Sequence, residues 1–143
     1  MARLRFGMIT QIIIAAMLAQ LSFVLERDSL VVVPVTLNGR EGYRFLLDTG
    51  ATNTILSIKV ADQLGLPAHR HATLLTAGGN LPVTVHIVKT MQIGSLQLTD
   101  MEIAVADPGL FQKLHVDGIL GADYLKQFKI SIDYAHRTLS IKP

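Results

Sequence analysis

The stretch FLLDTGATNT at residues 45–54 places a carboxylate directly after an apolar run. Such a carboxylate can act as a general acid or base when a second acid shares its proton. Asp48, Thr49 and Gly50 are also ordinary turn residues after a strand. The tripeptide alone therefore leaves two interpretations of Asp48 open, a catalytic group and a turn.

A second stretch, DGILGADYL at residues 117–125, combines two apolar residues and a glycine with the start of a helical segment. We predict a short helix over 123–128 with Asp123 as a candidate cap, because Asp accepts hydrogen bonds from the free amides of helix starts. By itself this stretch is typical of a strand-to-helix junction. It gains meaning only together with FLLDTGATNT.

Short apolar and β-branched runs are predicted to position both stretches. Residues 30–37 end at Asn38-Gly39, a strong hairpin signal, and 43–47 form the return strand that delivers Asp48. Further strands are predicted at 71–75, 81–90, 101–106, 130–133 and 138–141, and a helix capped by Ser57 at 57–64. This spacing favours an all-β barrel or sandwich with one or two short helices.

The N-terminal segment differs from the rest of the chain. Residues 6–25 carry no charge and are long enough to cross a bilayer as one transmembrane helix. Arg3 and Arg5 precede them, which favours a cytoplasmic N-terminus and a domain on the outer, periplasmic side in a bacterium. A cleaved signal peptide is the alternative and would make the domain secreted or periplasmic. We therefore divide the chain into an anchor or signal segment, 1–25, and a domain, 26–143.

Composition excludes several classes of function. Half of the residues are hydrophobic and 17% are charged, which predicts a packed core. The basic excess comes from Arg3 and Arg5, since the charges balance from Glu26 onward, so no nucleic-acid partner is predicted. The chain has no cysteine, and His69 and His71 have no third ligand in register. No metal site and no cofactor are predicted.

Together, FLLDTGATNTILS and DGILGADYL resemble the retropepsin-like aspartic proteases, from about residue 30 to about residue 141. In that family a strand delivers Asp-Thr-Gly-Ala, and a later apolar-apolar-Gly segment packs beneath it before a short helix. The resemblance implies a closed barrel. A hydrophobic anchor ahead of the domain is most similar to the single-domain bacterial members.

The resemblance also implies roles for individual residues. Asp48, Thr49 and Gly50 would be catalytic, with the Thr49 hydroxyl bonding across a dimer and Gly50 allowing close backbone approach. Asp-Thr-Gly occurs once, so the active form would be a homodimer in which Asp48 of each subunit supplies one carboxylate. The implied substrate-binding residues are Ala51 beside the site and a flap formed by Thr76, Ala77, Gly78, Gly79 and Asn80.

The function implied is an aspartic endopeptidase acting on peptide or protein substrates through a water activated by the two Asp48 carboxylates. The alternative is a catalytically weak or inactive dimeric module that binds peptides. A third interpretation is an anchored structural domain in which Asp48 only forms a turn. For the segment 76–80, the alternative to a flap is an exposed hairpin tip without substrate contact.

Overall fold

A computed structural model describes residues 12–13, 19–107 and 109–143, which form twelve strands and three short helices. The strands are β1 Ile12–Ile13, β2 Ala19–Ser22, β3 Val24–Glu26, β4 Leu30–Leu37, β5 Arg40–Leu47, β6 Ile55–Leu56, β7 Ala68–Thr76, β8 Gly79–Ile93, β9 Leu96–Val105, β10 Gly118–Leu120, β11 Lys129–Asp133 and β12 Thr138–Lys142. The helices are α1 Ile58–Gln63, α2 Leu110–Leu114 and α3 Ala122–Leu125. The prediction of an all-β domain is confirmed, with three short helices in the described residues where one or two were predicted.

Six strands close into a ring. Going round it, β4 pairs with β5, β5 with β10, β10 with β6, β6 with β9, β9 with β8, and β8 with β4. Two of these pairings, β10 with β5 and β6 with β9, are parallel, and the others are antiparallel. A closed ring leaves no open edge among its own strands, which keeps the strand that precedes Asp48 internal.

The barrel has two apolar clusters. The larger one fills the interior with alternate residues of the long strands, and residues such as Val33, Leu37 and Ile103 are fully buried. The smaller cluster contains Leu46 and Ile119, one from each of the two sequence stretches, together with Phe111 of α2. Both parallel partners, β5 and β10, therefore contact apolar side chains on both faces, as continuous hydrophobic strands must.

The hairpin β7–β8 extends further than predicted. The strands continue past 71–75 and 81–90 until Thr76 pairs with Gly79 across a two-residue turn at Ala77-Gly78. The turn is closed by the Thr76 hydroxyl, which donates to the Gly79 carbonyl at 2.8 Å. The strands extend to Thr76 and Gly79 because the backbone hydrogen bonds between β7 and β8 continue as long as both strands stay extended.

Of the predicted helix over 6–25, residues 6–11 and 14–18 lie outside the described residues, and the remaining residues do not match it. Residues 12–13 and 19–22 lie in strands, and Phe23 is 4% exposed within the larger cluster. No helix in the described ranges has the length and apolar character needed to cross a membrane. The reason for the difference is pairing: β2 bonds to β12 and β3 to β4, so residues 19–25 pack with the domain that we predicted to begin at 26.

Candidate active site

Asp48 lies where the catalytic strand leaves the barrel. β10 runs parallel to β5 with Leu120 opposite Leu47, and the Asp48 amide continues the ladder by donating to the Leu120 carbonyl at 3.0 Å. The chain then turns, since the Gly50 amide donates to Asp48 Oδ1 at 2.9 Å and the Ala51 amide to the Asp48 carbonyl at 3.2 Å. Asp48 thus does form a turn, but the turn uses only one of its carboxylate oxygens.

The rest of the tripeptide faces outward. Asp48 is half-buried, while Thr49 and Gly50 are exposed. Neither Asp48 Oδ2 nor the Thr49 hydroxyl has a hydrogen-bond partner among the described residues. The site therefore has one carboxylate oxygen and one hydroxyl without a partner. Within the described ranges, no second acidic side chain of the same chain is hydrogen-bonded to either group.

The second stretch supports the loop 48–54 from below. The Ala122 amide donates to the Ala51 carbonyl at 2.7 Å, and the Asp123 amide to the Thr52 carbonyl at 3.2 Å. A Cβ added to Gly121 would lie 2.5 Å from the Asn53 carbonyl carbon. Glycine at this position is required because the two backbones approach too closely for any side chain.

Buried Thr54 and half-buried Asp123 form a polar junction that sequence reasoning missed. The Thr54 hydroxyl donates to Asp123 Oδ1 at 2.8 Å, and its amide contacts both carboxylate oxygens at 2.9 and 3.0 Å. Burial raises the pKa of Asp123 and outweighs the hydrogen bonds from Thr54 and Tyr124 and the charge of Lys126, which lower it. The prediction that Asp123 caps α3 is wrong, because Gly121 is the N-cap and the carboxylate points to Thr54.

The predicted flap residues lie together at one exposed tip. Thr76, Ala77, Gly78, Gly79 and Asn80 form the turn of the β7–β8 hairpin and all are exposed. Their contact with substrate stays a prediction. The strands below the tip share the smaller cluster with the site. Leu74 of β7 belongs to that cluster, and half-buried Ala51 and Leu81 of β8 both pack against it.

The two histidines do not meet at one site. His69 Nε2 lies 3.5 Å from Glu102 Oε1, whereas His71 lines a shallow recess beside Asp107. Glu102 is 8% exposed and forms its close ion pair with Arg70 at 3.1 Å. Among the described residues no three acidic or histidine side chains are grouped as metal ligands would be.

Comparisons with known proteins agree with this geometry. The sequence model of a family described as aspartyl protease matches residues 33–124, which include both stretches. A retropepsin-like aspartic protease from Rickettsia conorii has a similar structure, with a TM-score of 0.63 and 24% identity over 87% of this chain and 91% of that one. EIAV protease, solved with the inhibitor HBY-793, gives a TM-score of 0.57 and 22% identity over 73% of this chain and 92% of that one. No curated protein matches the sequence. Because the family match spans most of the chain, the protein belongs to the aspartyl protease family and has its retropepsin-like fold.

Proposed function

We propose that the protein is an aspartic endopeptidase whose active site forms from Asp48 of two subunits. The observation that carries the proposal is the position of Asp48, held by the Leu120 carbonyl at the end of an internal strand. Asp48 is half-buried, and its Oδ2 has no hydrogen-bond partner among the described residues. A carboxylate that only formed a turn would not need the second stretch, which supports the loop through two further backbone hydrogen bonds.

The chemistry requires two carboxylates. When two such groups lie about 3 Å apart they share one proton, because both cannot ionise at that separation. The ionised member then takes a proton from the attacking water while its protonated partner donates to the carbonyl oxygen of the peptide. One chain supplies one Asp-Thr-Gly, so a two-fold axis beside Asp48 supplies the other. The Thr49 hydroxyl, which has no hydrogen-bond partner in the described part of the chain, is available to bond across that axis.

Substrate would bind as an extended peptide between the loop 48–54 and the flap. Main-chain pairing supplies affinity, and alternating side chains enter pockets on either side. Ala51 leaves room beside the carboxylate, and the exposed flap tip at 76–80 would close over the bound peptide and exclude water.

Peptidase assays on the full-length protein between about pH 3 and pH 7 test this function. The expected result is cleavage that Asp48→Asn abolishes and Asp62→Asn leaves unchanged, since Asp62 is an exposed residue of α1. Cleavage that persists in Asp48→Asn would refute the mechanism. Peptide binding by both proteins without any turnover would instead establish the alternative, a dimeric peptide-binding module.

We also propose that the N-terminal segment attaches or exports the domain, with residues 6–25 as anchor or signal. A helix that includes 19–25 excludes β2 and β3, so an anchored chain would give up the pairing of those strands with β12 and β4. N-terminal sequencing of the mature protein from membrane and soluble fractions separates the two forms. An intact N-terminus found only in the soluble fraction would refute both.

A further inference from the structure

The loop 48–54 is fixed at its two ends in different ways. At Asp48 the contact is backbone to backbone, with the Leu120 carbonyl. Thr54 is 0% exposed, and both its amide and its hydroxyl donate to one side chain, the carboxylate of Asp123. The same hydroxyl accepts from the Gly121 amide at 3.1 Å. Asp48 also bonds within the loop, through Oδ1 to the Gly50 amide, whereas at Thr54 the loop is held by a titratable group that lies outside it.

The Asp123 carboxylate accepts its hydrogen bonds mainly through Oδ1. Its Oδ1 accepts from the Thr54 amide, the Thr54 hydroxyl and the Tyr124 amide at 2.8–2.9 Å, and its Oδ2 lies 3.0 Å from the Thr54 amide. Hydrogen bonds to an ionised acceptor are stronger than those to a neutral one. A proton on Oδ2 would face the Thr54 N–H, donor against donor, and would weaken the remaining bonds to Oδ1.

Few charged groups act on this carboxylate. The loop 48–54 contributes half-buried Asp48 at its far end. The helix α3 with its C-cap contributes Tyr124 and Lys126, of which Lys126 favours the ionised form. The neighbouring strands β6 and β10 contribute no ionisable residue. Burial is the dominant influence and raises the pKa of Asp123 above its ordinary value, so this carboxylate takes up its proton at a higher pH than an exposed aspartate does.

We propose that Asp123 is a positioning residue for the Asp48 site: when ionised, it locks the loop through Thr54, and when protonated, it releases that end of the loop. The inference rests on the proposed function for its effect on catalysis. Its structural part, the coupling of the loop to the protonation of Asp123, stands without it.

Because protonation of Asp123 is coupled to folding, stability and the order of the loop 48–54 depend on pH in opposite directions. The folded chain takes up the Asp123 proton at a higher pH than the unfolded chain does, so this residue makes folding less favourable as pH rises through that interval. The hydrogen bonds between Thr54 and the Asp123 carboxylate have the reverse dependence and become stronger as pH rises, because the carboxylate ionises. A residue with a merely structural role would move activity and stability together, whereas this one separates them.

The test that does not depend on activity is an NMR titration of full-length Asp48→Asn protein, which has no catalytic carboxylate. We expect the Asp123 carboxyl carbon and the amide signals of Thr54 and Gly121 to shift with one common midpoint above the ordinary Asp value. Amide signals that stay still while Asp123 titrates would overturn the inference. A coupled titration in a protein whose wild type cleaves no peptide would leave the coupling intact and refute only the proposed function.

Kinetics complete the test. Asp123→Asn is expected to lower kcat by about tenfold to a hundredfold with KM changed less than about twofold, and to remove one acidic limb from the kcat profile. Thr54→Val should lower kcat to a similar extent. Thr54→Ser, which keeps the hydroxyl, should have the wild-type kcat. Asp133→Asn is the matched control because Asp133 lies on the distant β11 and is exposed. An Asp123→Asn enzyme with the wild-type kcat profile would contradict the proposal.

Discussion

Gly121→Ala perturbs the contact between the two sequence stretches most directly. Gly121 has φ −99° and ψ −179°, an extended conformation that alanine also adopts, so the change introduces no backbone strain of its own. Its new Cβ would lie 2.5 and 2.6 Å from the Asn53 carbonyl carbon and oxygen, and 2.9 Å from the Ala51 carbonyl oxygen. All three are backbone atoms, which cannot rotate away as a flexible side chain can.

The magnitude follows from these distances. Ordinary van der Waals contact with a Cβ begins near 3.4 Å, so the loop and α3 must separate by about 0.9 Å. Overpacking of this kind costs about 2 kcal/mol of unfolding free energy. The same shift stretches the 2.7 Å bond between Ala122 and Ala51, and displacement of a catalytic loop by about 1 Å lowers kcat about a hundredfold.

Urea unfolding and peptide cleavage, measured on the same preparations, test this prediction. Gly109→Ala is the matched control, because its φ is −55° and a Cβ there meets nothing within 4 Å. We expect Gly109→Ala to retain wild-type stability and kcat. If Gly121→Ala were as stable and as active as Gly109→Ala, the proposed support of the loop by the second stretch would be wrong.

Three further predictions concern stability. Tyr124→Phe should raise the unfolding free energy by about 1 kcal/mol in calorimetry, because no described residue bonds to the buried Tyr124 hydroxyl; a loss of stability would show that the hydroxyl has a partner. Arg70→Met should cost about 2 kcal/mol by leaving the buried Glu102 carboxylate without its close partner, and an unchanged urea midpoint would contradict this. The backbone amide and then the side chain of His136 hold the pKa of Asp133 below its ordinary value. Their contribution is present above the ordinary Asp pKa and is lost as pH falls through the lowered one, so NMR should find a low midpoint for Asp133; an ordinary midpoint would refute the contact.

Local signals predicted the elements that depend on neighbouring residues. The Asn38-Gly39 turn lies between β4 and β5 as expected, and the Ser57 side chain caps α1 by accepting from the Val60 amide. The terminal hairpin β11–β12 also lies at its predicted place, within one residue at each end. These features are set by turn chemistry, capping and alternation, which a single sequence shows directly.

Features set by distant pairing could not be predicted from the sequence. An uncharged, mostly apolar run such as 6–25 suits a membrane helix as well as strands, and only pairing with β12 makes its residues 19–22 the strand β2. Likewise, Asp123 stands at the start of a helical segment as a cap would, but its partner Thr54 is 69 residues away. The helix α2 is short and was missed because its apolar residues also suit a loop that covers the smaller cluster.

The central claim is that each active site contains Asp48 from two chains, and subunit mixing tests it most directly. Wild-type protein is unfolded, combined with an equal amount of Asp48→Asn protein and refolded at constant total concentration. If both carboxylates are required, random pairing leaves about a quarter of the wild-type activity, since only dimers with two Asp48 side chains cleave. About half of the activity would remain if each chain worked alone, and that result would contradict the account.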